Sequence, residues 1–251
     1  MYVEHPVFVR PTDENIRIWR YMSFTKLVSL LESRCLFFSR ADKLGDPFEG
    51  SWPRINISAR FEIPDNIPNE GQARFLGAMK NLSGILGQMP RHIALSCWHM
   101  NEYESAAMWK LYIESNEGVA VQSTFRRLRE SLIDDEQIHL GVVNYIDYQT
   151  EGIDARNLMT PFMYKRKSYE HEREVRALIM KIPVNERGAD LSAEGITNGL
   201  SIRVDMSILV ERIFVAPYCP AWFEELVRSV IAKYSYAFDV VHSILDQQPL
   251  F

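Results

Sequence analysis

The sequence contains no run of about 18 apolar residues, the length a membrane-spanning helix needs, so no membrane partner is expected. Cysteine is scarce: Cys35, Cys97 and Cys219 are odd in number and far apart, which predicts reduced thiols rather than a disulfide framework. The opening residues, Met1 to Pro6, have neither the basic start nor the apolar core of a secretory signal. A cytoplasmic chain is the expectation. Basic charge is not in excess either, since the formal net charge is -5. That disfavours nucleic acid as a partner, although a local patch could still hold a phosphate backbone. Glycine-rich phosphate loops, Cys-x-x-Cys, His-Glu-x-x-His and the nucleophile elbow are all missing, which argues against Walker-type hydrolysis and structural zinc. Cys97 and His99 stand two apart with no partner pair, short of the three or four ligands a metal takes, so no metal ligands are assigned.

What is present is a large apolar share, 47% of 251 residues, enough to bury one substantial core. Hydrophobic periodicity gives strands at Ile16 to Met22, Leu36 to Ser39, Ile93 to Trp98, Gly118 to Ser123, His139 to Ile146, Val175 to Ile182, Leu200 to Val204, Arg212 to Val215 and Phe238 to Ile244. Helices are expected at Thr25 to Arg34, Gln72 to Leu82, Ser105 to Tyr112, Phe125 to Leu132, Asn157 to Lys167 and Ala221 to Ala232. The reading is one α+β domain over 1–251, with a mixed, mainly antiparallel sheet flanked by helices. Within it, 53–90 is a helical excursion or lid, and Gly45 to Gly50 is a turn bracketed by two glycines.

The most informative stretch is Tyr169-Glu170-His171-Glu172-Arg173-Glu174-Val175-Arg176. Read as a strand, it stacks Glu172, Glu174 and Arg176 on one face and turns Val175, Ala177 and Ile179 to the other. Read as a helix, Glu172 and Arg176 are an ordinary surface pair four residues apart. The strand is favoured because Val175 to Ile182 ends at Pro183 with no helix cap. Trp109 and Tyr112, three apart on a helix, suit core packing better than ring stacking on a ligand.

Four blocks together resemble the bacterial domain-of-unknown-function family 2971: Tyr21 with Leu36 to Ser39; Asp46-Pro47-Phe48-Glu49; Ser96-Cys97-Trp98 with Met108-Trp109, Tyr112 and Gly118; and Lys165, Tyr169, Glu172, Glu174 and Arg176. The resemblance runs over residues 18 to 180 and departs from the family at Gly45, Glu104 and Tyr169. The order of elements is also similar to that of the ADP-ribosyltransferase superfamily. That similarity implies an arginine or histidine on an early strand, a polar contact mid-chain and a catalytic glutamate on a late strand; Arg20 with Tyr21, Gln122 to Thr124, and Glu172 or Glu174 could fill those places.

Three functions follow from these residues. The first is NAD-dependent ADP-ribosyl transfer or NAD glycohydrolysis, with NAD as substrate. There, Glu172 and Glu174 are catalytic, and Arg20, Tyr21, Asp46, Glu49, Trp109, Lys165, Tyr169 and Arg176 bind a small nucleotide. It requires Arg20 and Glu174 on the same side of the sheet. The second is a divalent-metal nuclease, which requires Asp46, Glu49, Glu104, Glu172 and Glu174 in one cleft. The third is a non-catalytic sensor or partner-binding module. The sequence does not fix oligomeric state.

Overall fold

The first strand, β1 (Arg17–Ser23), sends Ile18 and Met22 into one core and Trp19 and Tyr21 into another. The computed structural model describes residues 1–113, 116–186 and 188–250. After β1 come α1 (Phe24–Ser33) and β2 (Cys35–Arg40), then the helices α2 (Arg54–Phe61) and α3 (Asn69–Leu86). β3 (Ile93–Met100), α4 (Ala106–Tyr112), β4 (Gly118–Thr124), α5 (Phe125–Ser131), β5 (His139–Val142) and β6 (Asn144–Ile146) follow. The chain continues through β7 (Tyr164–Arg166), β8 (Glu174–Met180), β9 (Val184–Asn185), β10 (Gly188–Ala189) and β11 (Gly199–Arg203). It ends in α6 (Met206–Leu209), β12 (Arg212–Val215), α7 (Ala221–Lys233) and β13 (Asp239–His242).

The principal sheet runs β5-β8-β3 and then divides. The start of β3 pairs with β2, at Ser39↔Leu95 and Arg40↔Ala94, and β2 carries β11 on its outer edge. The end of β3 pairs with β1, at Trp19↔His99 and Ile18↔Met100, and β1 leads on to β4, β12 and β13. Only β12 with β13 is parallel in this sheet, so it is mixed and mainly antiparallel. A seam opens between β1 and β2 where they leave the same edge of β3.

Residues directly opposite in an antiparallel pair share a face. One face therefore carries Ile18, Phe38, Ala94, Trp98, Val175 and Ala177, packed under α1, α5, α6 and α7 as the main core. The other carries Trp19, Leu95, His99, Glu174, Arg176 and Leu178, over which two smaller cores lie.

Several expectations need correction. His139 to Ile146 is two strands, because the chain leaves β8 after Val143 donates to the Glu174 carbonyl at 2.9 Å, and β6 pairs with β7 in parallel instead. Asn157 to Lys167 is not a helix. It is a 3-10 turn at Thr160–Met163, then β7, then a second 3-10 turn at Lys167–Glu172. Phe162 and Met163 plug a core here while Lys165 is drawn to carboxylates, and those contacts override helix propensity. The excursion at 53–90 holds two helices where one was expected, and neither buries a residue fully.

Candidate functional site

The strand reading of the charged stretch holds from Glu174 onward and fails before it. Glu172 ends the second 3-10 turn, and Arg173 follows with φ of 41°, a left-handed conformation uncommon for a residue with a side chain. That kink returns the chain to the sheet so that Glu172 and Glu174 meet, although they do not lie on one strand. Lys165 Nζ on β7 joins them, donating to Glu172 Oε2 and, at 2.8 Å, to Glu174 Oε1. Arg176 Nε donates to Glu174 Oε2 at 2.5 Å, and its two terminal nitrogens fork onto Glu49 at 2.6 and 2.8 Å. Tyr145 accepts from the Glu174 amide at 2.8 Å.

Arg176 is fully buried, and Glu49, Glu174 and Lys165 are nearly so. Such charges persist only when paired and hydrogen-bonded. The chain counts three carboxylates against two cations here, and they balance when one carboxyl keeps its proton. Burial raises the Glu49 carboxyl, against the pull of Arg176, and Glu172 is the group poised near neutrality. Burial, then its hydrogen bond to Glu174 and that group's charge, push its carboxyl up to about 7. Burial also opposes ionisation of Glu174, but Arg176, the bond from Glu172 and Lys165 outweigh it and hold Glu174 well below the usual carboxylate range. Burial opposes the charge of Lys165 too, and Glu174 more than restores it.

These groups form one end of a cavity of about 730 Å³ that continues along the seam between β1 and β2. Arg20, Tyr21, Asp46, Glu49, Lys165, Tyr169, Glu172, Glu174 and Arg176 all line it. Asp46 accepts from Arg166 Nη2 at 2.9 Å, and the Tyr169 ring centroid lies 4.7 Å from Lys165 Nζ. The Tyr21 hydroxyl accepts from the Ser105 amide at 2.8 Å. No described residue of the 53–90 excursion lines the cavity.

Trp109 is the exception among the expected ligand contacts. It is buried beside Tyr21, its indole nitrogen bonded to Glu104 Oε2 at 2.9 Å, and it does not line the cavity. Arg20 needs a different correction. Strand alternation turns it to the face opposite Glu174, so the same-side condition set for the transferase reading is not met; the two residues line one cavity because the seam opens through the sheet. Its guanidinium donates to Ser96 Oγ and to the Phe37 carbonyl, over the Trp98 ring. No carboxylate pairs with it among the described residues. Gln122 to Thr124 lie on β4 away from the cavity, with Ser123 bonded to the Leu209 carbonyl. The metal reading fails its own condition. Glu104 faces Trp109, Ser243 and Ile244 outside the cavity, the other four carboxylates are engaged by cations, and no group of three metal-ligating side chains is found among the described residues.

Among the cavity residues that sequence reasoning did not assign to a site are His99, Phe37 and Tyr112, the last expected in the core. His99 lies opposite Glu174 in the β3–β8 register, and its Nδ1 bonds the Glu172 carbonyl at 2.7 Å. Its place on the face of Trp19 and Glu174 was readable only once the register was known. Phe37 lines the cavity with about half its surface open.

No helix among the described residues is long and apolar enough to cross a membrane. No protein-family model matches the chain, so the resemblance to family 2971 gains no support there, and no curated protein matches it. Among solved structures it is similar to Thermus sp. 2.9 DarT in complex with NAD+, at 9% identity and a TM-score of 0.42, over 93% of this chain and 97% of that one. The same protein in complex with ADP-ribosylated ssDNA gives 10% identity and 0.41 over 93% and 96%, and in complex with carba-NAD+ 9% and 0.39 over 92% and 96%. Scores this low carry no inference about the chemistry of this chain.

Proposed function

We propose that the chain is an NAD-consuming enzyme that breaks the bond between nicotinamide and ribose and passes the ADP-ribosyl group to water or to an acceptor. The observation that carries this reading is the carboxyl pair at the end of the cavity, one member held as a fixed anion and the other poised near neutrality. Environments that push two neighbouring carboxyls apart assign them different roles. Glu174, the fixed anion, accepts a hydrogen bond from a ribose hydroxyl and opposes the positive charge that grows at the anomeric carbon.

Nicotinamide leaves with the electron pair of the C–N bond. The incoming oxygen then bonds to the same carbon, and its proton passes to the Glu172 carboxylate. Lys165 and Arg176 orient the pair. Arg20, which no carboxylate pairs with among the described residues, suits the diphosphate, although it reaches the cavity from the other face of the sheet. Tyr21 and Tyr169 offer rings at the walls.

The test is nicotinamide release from NAD by the purified chain and by Glu174→Gln. Release by the native chain, reduced about 100-fold or more in the variant, supports the reading. Absence of release at neutral and alkaline pH, with native and variant chains equally folded, overturns it and returns the cavity to a sensing role.

A further inference from the structure

Phe37 is the middle residue of a strand, yet its ring is about half exposed, between Leu36 and Phe38, which are buried. A lone exposed phenylalanine needs no explanation. This one stands inside the cavity and is held from two sides. Its ring lies against Gly199 on β11, where a Cβ would come within 2.5 Å of Phe37 Cζ, so the neighbouring strand leaves bare backbone to seat it. Its carbonyl accepts from Arg20 Nη2 at 3.0 Å. Ser39 and Ser201, on the same face as Phe37, border it with hydroxyls, and Lys43 adds a cation at the wall.

The order of groups along the cavity is therefore an aromatic platform, an arginine with no carboxylate partner among the described residues, and a carboxyl pair. Arg20 touches both Phe37 and Ser96, and from Ser96 along β3 the register reaches Arg176 opposite Cys97 and Glu174 opposite His99. A purine, a diphosphate and a ribose occur in that order in a dinucleotide.

We propose that Phe37 is the stacking platform of a purine subsite, bordered by Ser39 and Ser201, and sets the preference of the cavity for a nucleotide with an adenine ring. This rests on the reading of the cavity as a dinucleotide site, but its test uses no turnover. AMP and ribose 5-phosphate are titrated calorimetrically into the full chain and into Phe37→Ala, Phe37→Leu and Phe37→Trp. Stacking predicts that AMP binding weakens about tenfold or more in Phe37→Ala, and also in Phe37→Leu, which keeps apolar bulk without a π face. Phe37→Trp retains it, and ribose 5-phosphate binds the native chain and all three variants alike. Equal AMP affinity in native and Phe37→Ala chains of unchanged melting temperature, or no AMP binding by the native chain at millimolar ligand, overturns the proposal. Phe37-dependent AMP binding without nicotinamide release would leave the subsite standing and remove the NAD chemistry.

Discussion

At the scale of single residues, the site turns on which carboxyl keeps a proton. If Glu172 takes the proton of the incoming nucleophile, it must be ionised to act, so kcat/KM rises as pH increases through about 7 and then levels. In Glu172→Gln that rise disappears and the rate falls about 100-fold or more. A pH–rate profile of both chains reads this directly, and an unchanged limb in the variant would assign the proton elsewhere. Glu49 makes a different prediction. Its carboxyl takes both arms of a fully buried guanidinium. Glu49→Ala strands half of that charge and should cost about 3–5 kcal/mol of stability, measured by denaturant unfolding. The resemblance to family 2971 grouped Lys165, Tyr169, Glu172, Glu174 and Arg176 with Asp46 and Glu49, and all seven line one cavity. Trp109 packs in a core, as its helical spacing with Tyr112 favoured, and Arg20 reaches the cavity from an unexpected face. Alternation orders residues within a strand, but the face a strand shares with its neighbour depends on register, which is a tertiary property.

At the scale of elements, the strands over 93–100, 118–124 and 212–215 were legible because each buries residues on both faces. The segment 157–167 was not, since its apolar residues are spaced by the cores they plug and not by a helix period. α2 escaped notice because its eight residues make about two turns, too short to show a helical period, and bury nothing fully. The same fact predicts its behaviour. Amides of α2 and α3 should exchange with solvent sooner than those of β3 and β8, and hydrogen exchange followed by mass spectrometry orders them. The turn that carries Glu49 depends on Gly50, at φ of 71° and with Phe162 within 2.2 Å of where a Cβ would stand. Gly50→Ala should cost at least about 1–2 kcal/mol in denaturant unfolding and weaken the grip on Arg176.

At the C-terminal edge, His242 bonds Glu224 on α7 at 3.3 Å and Asp246 at 3.0 Å. Burial works against its charge, but Asp246 and then Glu224 raise its pKa above the ordinary 6.5. A raised folded-state value means that its contribution is complete below 6.5 and fades as pH climbs through the folded value. Melting temperature should therefore fall more steeply between about pH 6 and 8 in the native chain than in His242→Gln.

For the whole molecule, a ligand that binds only the folded chain adds to its stability. At a concentration of 100 Kd the gain is about 2.7 kcal/mol, which for a chain of this length raises Tm by roughly 5–10 °C. ADP-ribose in a thermal melt tests the cavity as a whole, and the shift should shrink in Phe37→Ala. The sheet is also arranged so that two strands divide one edge of β3. Across that edge Ser96, Cys97 and Trp98 have no strand partner among the described residues. Main-chain donors and acceptors that a neighbouring strand would have claimed are left beside the cavity. A ligand meeting them would be recognised by polypeptide, not by side chains. Alanine scanning would pass over such recognition, and the residues along β3 could change identity over time while the contact endured.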